Sequence, residues 1–138
     1  MTQTDGMMQQ MLRLHNEERK KHNLHPLSLH PKLQQAAQKH ALYMREHHKL
    51  THKEGQGGPK LESRITDEGY PLAKGTQREN AAAGNTEGTP DNVFHVWMNS
   101  EKHKKNILDK DIQDVGFGSA SEPSGRWYWC ADFAKPQG

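Results

Sequence analysis

Four residues carry the chemistry that this sequence offers: His52, Glu79, Glu101 and His103. Two imidazoles and one or two carboxylates suit zinc or a similar divalent ion, with a coordination position left for water. The same set suits general acid–base work. They lie on three separate pieces, Leu50–His52 (LTH), Arg78–Asn80 (REN) and Trp97–Leu108 (WMNSEKHKKNIL), so only a fold can bring them together. By spacing alone they match no local metal motif, and surface or capping roles are the simpler reading.

The other histidines divide by context. His47, His48 and His52 resemble a cluster, because residues four apart share a helix face. Lys49-Leu50-Thr51 gives a helix no reason to continue that far, so His47 and His48 are expected to be exposed. His40 lies on an apolar stripe and is expected to be a hydrogen-bonded core histidine. His22, His25, His30 and His95 are expected at the surface, and His15, Asn16 and Arg19, on one helical turn, in structural roles. Cys130 sits in an apparent strand with no local positive charge, which predicts an inert packing thiol.

The elements that must position these residues are legible in outline. Asp5-Gly6 can open a first helix to about Asn23, with Met8, Met11, Leu12 and His15 inward and Glu17, Glu18, Lys20 and Lys21 outward. Pro26 excludes helix at the residue before it. His30-Pro31 starts a second helix, with Leu33, Ala36, Ala37, His40, Ala41 and Met44 at helical spacing, and its alanines permit close approach to a neighbour. Lys53–Pro59 (KEGQGGP) reads as a loop, Leu61–Asp67 as a short helix closed by Gly69, and Tyr70–Gln77 as irregular. The small residues of Glu79–Gly84 require a closely packed layer or ligand. Thr89-Pro90-Asp91 starts a helix that turns Val93, Val96 and Trp97 inward. Gln113–Ala120 and Arg126–Ala134 read as strands of a hairpin with its turn at Glu122–Gly125. Helices followed by a hairpin predict an α+β domain.

Composition sets limits. The 138 residues are 31% hydrophobic with a mean hydropathy of −1.11, a polarity that raises the question of disorder. The net charge of only +2 and the periodic apolar residues answer it in favour of one folded domain, residues 1–138 with a core from 8 to 134. Nineteen basic and 17 acidic residues are interspersed, which leaves no nucleic-acid footprint. One cysteine excludes an intrachain disulfide. No apolar run reaches the roughly 20 residues of a membrane helix, so the expectation is a monomer that is not an integral membrane protein. The opening MTQTDGMMQQ lacks the pattern of a signal peptide.

Taken in order, LRLHNEERKKHNLHPL, LQQAAQKHALYM, LTH, RITDEGY, REN, VWMNSEKHKKNIL, VGFG and WYWCADFA resemble the CAP superfamily. That superfamily joins cysteine-rich secretory proteins, antigen 5 and pathogenesis-related 1 proteins, and the resemblance is greatest to its bacterial, disulfide-poor SCP-like branch. It covers about Met8 to Ala134. It implies a three-layer α-β-α sandwich with a central antiparallel sheet and a cleft of two histidines and two acids. In some members that cleft binds zinc or another divalent cation; no organic cofactor is implied. By motif, the metal histidines are His52 and His103, and the first acid is Glu79. The second acid would stand three residues after the helix tryptophan, where this chain has Ser100, with Glu101 next. On a continuous helix those two point about 100° apart. Arg78 stands where glycine is usual, crowding the cleft or adding a cation to it. Asn16, Arg19, Asn80, Trp97 and Asn106 take structural roles, with Arg19 bonded to backbone. The function implied is a secreted binding module, extracellular or in the cell envelope, for a protein or a small lipid such as a sterol or fatty acid. The alternative is a metal-dependent, peptidase-like hydrolase with Glu79 as base, although neither GxSxG nor HExxH occurs.

Overall fold

The computed structural model describes residues 3–52 and 60–138, so the loop read at Lys53–Pro59 lies outside the described residues. The chain runs α1 (Gln3–Lys21), β1 (Ser28–Leu29), α2 (Pro31–Glu46), α3 (Leu61–Asp67), β2 (Arg78–Gly84), α4 (Pro90–Met98), α5 (Glu101–Ile107), β3 (Asp114–Ser121) and β4 (Trp127–Ala134). The helix starts follow local chemistry. His30 caps α2 by accepting from the Lys32 amide, ahead of Pro31. Thr89 caps α4 in the same way through the Asn92 amide.

The sheet has the order β1-β3-β4-β2. β3 and β4 form the expected hairpin, from Asp114 opposite Ala134 to Ser121 opposite Trp127. β2 pairs antiparallel with β4 along its whole length, Arg78 opposite Phe133 through Gly84 opposite Trp127. β1 adds a two-residue parallel edge beside β3. RENAAAG has little intrinsic strand preference; pairing and burial against β4 make it a strand.

Every residue of β4 is buried, because helices cover both faces of the sheet. Trp127, Trp129, Ala131 and Phe133 pack on Met8 and Met11 of α1, Val93 and Trp97 of α4 and Ile107 of α5. Tyr128 and Cys130 point the other way, onto Ala37, Ala41 and Met44 of α2, while Ala134 meets Leu33, Ala36 and Ile65. The result is an α-β-α sandwich. Two local expectations change. Val96 is 48% exposed rather than inward. The helix through Trp97 stops at Met98, and Ser100 is extended at φ −117°, ψ 122°, before α5 begins.

α2 lies unusually close to β3. A Cβ on Gly116 would sit 2.1 Å from the Leu33 carbonyl carbon, and one on Gly118 2.5 Å from that of Ala37. The close approach lets glutamine side chains serve the strand where β1 has ended. Gln34 Oε1 accepts from the Phe117 amide. Gln38 bonds both Ser119 amide (3.0 Å) and carbonyl (2.9 Å). Across the sheet, His15 is fully buried beside the Phe94, Phe117 and Phe133 rings, and its Nδ1 donates to the Met11 carbonyl at 2.8 Å.

Two outcomes follow. Gly116→Ala forces a methyl group into backbone, and we expect a loss of about 1–3 kcal/mol in urea unfolding. His15, pushed down to about 4 chiefly by burial, stays neutral in the fold while the unfolded chain protonates near pH 6.5. Its stabilising contribution is therefore present above pH 6.5 and is lost as pH falls toward 4, by roughly 3 kcal/mol. Denaturation midpoints across that range should fall less steeply for His15→Gln.

Candidate functional site

The site gathers at the end of the sheet where β2 begins. Glu79, the second residue of β2, has a side chain only 3% exposed. Arg64 of α3 grips it: Nη1 donates to Oε2 at 2.9 Å and Nη2 to Oε1 at 3.1 Å. Arg64 Nη2 also donates to the His52 carbonyl at 2.8 Å, fixing the chain just beyond α2. The His52 Nδ1 then lies 2.8 Å from Glu79 Oε1. Buried His40 stands behind them, its Nε2 bonded to the Thr51 carbonyl and 3.8 Å from Glu79 Oε1.

Beneath Glu79 lie Cys130 and Asp132, both fully buried. The Cys130 thiol is 3.4 Å from Glu79 Oε2 and 3.4 Å from Asp132 Oδ1. Burial alone would raise the Glu79 carboxyl, but hydrogen bonds from Asp132, His52 and Arg64 outweigh it and hold it well below the usual range. Asp132 moves oppositely, raised well above the usual range first by burial and then by the Glu79 charge. Burial, reinforced by both carboxyls, likewise keeps the Cys130 thiol protonated, as expected of a packing cysteine.

Facing this wall is α5. Asn80 Nδ2 donates to the His103 carbonyl at 3.0 Å. Asn106 Nδ2 donates to Asn80 Oδ1 at 2.8 Å and to the Glu79 carbonyl at 3.2 Å. The far end of α5 is fastened by Arg19, whose Nη1 donates to the Ile107 and Asp109 carbonyls at 3.0 and 2.8 Å and whose Nε donates to the His25 carbonyl at 2.8 Å. Asn16 closes the loop after α1 through both backbone groups of Leu27. Buried Trp97 anchors the helix before α5.

A cleft of about 270 Å³ opens between these elements, lined by His52, Leu61, Gln77, Arg78, Lys102 and Asn106 around Glu79. A larger groove of about 610 Å³ on α1 shares no residue with it and holds none of the four candidate residues. His103 has a buried Nδ1 with no partner. Its imidazole is pushed below the ordinary histidine range by burial, then by Lys102 and His52. Arg78 lines the cleft with its Nε tied to Asp109 Oδ2 at 3.0 Å. His103, Ser100 and Glu101 are not among the lining residues; His103 lies between the lining residues Lys102 and Asn106 on α5, Ser100 is the N-cap of α5 and Glu101 is exposed. The break between α4 and α5 removes the continuous helix on which their relative directions were reckoned.

Arg64 and Asp132 are the participants that sequence reasoning missed. Each had a signal. Arg64 falls three residues after Leu61 and beside Ile65, on the inward stripe of α3. Asp132 is the one charged residue in an otherwise apolar or aromatic eight-residue strand. Glu79, bonded by a guanidinium and held in its ionised form, is a weak proton acceptor, and its Oε1 lies within hydrogen-bond distance of His52.

A fold of this connectivity has relatives. The sequence profile of the Cysteine-rich secretory protein family (CAP) matches residues 12–133. The chain belongs to that family. The Bacillus subtilis protein YkwD, described as uncharacterized, is 31% identical over 108 residues, covering 78% of this chain and 40% of the relative. An extracellular, SCP-domain protein of Bacillus anthracis superposes with a TM-score of 0.82 at 25% identity, over 95% of this chain and 41% of that one. An outer surface protein of Borrelia burgdorferi does so with a TM-score of 0.83 at 25% identity, over 99% and 97%. The chain thus spans about two fifths of the length of both Bacillus relatives. Among the described residues no helix is long and apolar enough to cross a membrane.

In this CAP domain the Arg64–Glu79 pair is buried on both sides. Arg64→Met strands the carboxylate, and we expect about 3–5 kcal/mol of destabilisation in urea unfolding, well beyond what removal of an exposed pair such as Arg45–Glu46 would produce.

Proposed function

We propose that the chain is a binding domain of an extracellular or cell-envelope protein, whose cleft takes up a divalent cation of the zinc class on His52 and His103. The observation that carries this reading is the buried, unpartnered Nδ1 of His103, on an imidazole that feels the charge of His52. A histidine bonded at one ring nitrogen to a carboxylate presents its other nitrogen in a fixed direction, and His52 is held so by Glu79. Glu79 itself is committed to Arg64 and His52, which makes it a support behind the ligands. The remaining coordination positions fall to water or to a ligand, and the ion's chemistry would be Lewis-acid polarisation. The Glu79–Cys130–Asp132 group, whose ligand atoms lie within 4.8 Å of one another, is a second donor set. We weigh it lower, because a guanidinium already occupies Glu79.

Binding is favoured over hydrolysis because Glu79, the one acid among the described lining residues, is a poor base. Its small volume favours a protein segment or a small ligand over a lipid. The envelope location is supported by the descriptions of the extracellular and outer-surface relatives. Calorimetric zinc titration of the wild type and of the His52→Ala/His103→Ala double variant tests the ion site. We expect at least a hundredfold weaker binding in the variant; equal affinity would remove both residues as ligands. Peptide and ester panels, with and without chelator, should show no turnover.

A further inference from the structure

The uncommitted groups that line the cleft are mostly donors. Arg78, the first residue of β2, has a side chain 33% exposed. Three bonds set its guanidinium in place. Nε donates to Asp109 Oδ2 at 3.0 Å, and Nη1 to the Gly75 and Gln77 carbonyls at 2.9 and 2.8 Å. Its Nη2 has no partner among the described residues. Lys102 of α5 is exposed and forms no ion pair among the described residues. Gln77 Oε1 is engaged by the Gly75 amide at 3.1 Å, which leaves its Nε2 free to donate. On the acceptor side, both Glu79 oxygens are taken by Arg64 and His52. Asn106 commits its Nδ2 to Asn80 and Glu79. Apart from the ring of His52, its amide oxygen is the one uncommitted side-chain acceptor of the described lining. The charges lean the same way. Glu79 is offset by Arg64 and Asp109 by Arg78, at 2.9 and 3.0 Å, so Lys102 carries the unbalanced charge of the described lining.

We infer that the cleft selects a ligand bearing a carboxylate, engaged by Arg78 Nη2 and the Lys102 ammonium. This rests on the reading of the cleft as a binding site and names the ligand it takes. One unbalanced positive charge matches one negative charge; a phosphate monoester, at about −1.5 to −2 near neutral pH, overshoots it. Arg78 is the selective element. Three bonds already hold its guanidinium, so it loses little freedom when a ligand arrives. Lys102 adds a point charge on a flexible stem. Leu61 of α3, also in the lining, offers an apolar contact to whatever carries the carboxylate. An acidic side chain, a chain terminus and a free small acid all present that group, and the probes below separate them.

The test titrates the full chain with metal removed by a neutral chelator, so that no chelator carboxylate competes. The probes are a capped peptide with one central glutamate and its glutamine counterpart, an all-alanine peptide with a free or an amidated C-terminus, and acetate against acetamide. At least one carboxylate should bind roughly tenfold more tightly than its uncharged counterpart, the worth of one charge-assisted hydrogen bond, and the tightest identifies the source. No preference in any pair overturns the proposal. The preference should fall about tenfold in Lys102→Gln and in Arg78→Lys. Lys102 is exposed, so its variant keeps the fold even where Arg78→Lys does not. Lys20→Gln removes an exposed cation from the groove on α1 and should leave the preference intact; an equal fall there would reduce the effect to overall charge and overturn the assignment. Amide NMR shifts on titration should cluster at Gln77, Arg78, Lys102 and Asn106. Shifts confined to Gln9 and Leu12 of the α1 groove would move the site elsewhere. Zinc added afterwards separates this inference from the ion site. A preference present without metal stands whether or not His52 and His103 bind zinc, whereas one that appears only with zinc assigns selection to the ion and removes Arg78 and Lys102 as its source.

Discussion

Glu79 is the residue against which the cleft end of the molecule is built. It is an anion in the interior, and an interior anion is tolerated only when its oxygens are fully bonded. Meeting that demand draws in α3 through Arg64 and the segment after α2 through His52. It also draws in β4 through Cys130 and Asp132. Arg64 serves two of these at once, since the guanidinium that neutralises Glu79 also bonds the His52 carbonyl. One buried charge thus ties three segments together at that point.

The opposite wall is held by neutral hydrogen bonds. Asn80 and Asn106 lock α5 onto β2, and Arg19 caps the chain after α5 with carbonyl contacts. Helix ends leave carbonyls unsatisfied, and a long arginine from α1 meets that need across the core. His103 is therefore carried on a short helix tied to β2 and to α1, and its Nδ1 is buried with no hydrogen-bond partner among the described residues. Further along the sheet the constraint is steric: α2 can lie on β3 only because Gly116 and Gly118 carry no side chain.

Much of this was readable in the sequence where the signal is local. The caps at His30 and Thr89, the apolar stripe of α2 and the hairpin alternation are encoded within one or two turns of chain. His40 on its stripe, the exposed His47 and His48, and the inert Cys130 followed from the same local logic. The ordered segments also pointed to the family whose profile matches residues 12–133.

What the sequence could not decide depends on contacts between distant residues. β2 is a strand because β4 lies beside it, not because of its alanines. Glu101 opens a new helix because the chain turns at Ser100. Above all, the character of Glu79 was decided by Arg64 and Asp132, which stand 15 and 53 positions away in the numbering of the chain. Composition and spacing determine which acids and imidazoles a chain owns. Which of them is charged, which holds a proton and which faces a ligand is set by burial and by the nearest cation, and those exist only once the layers have closed.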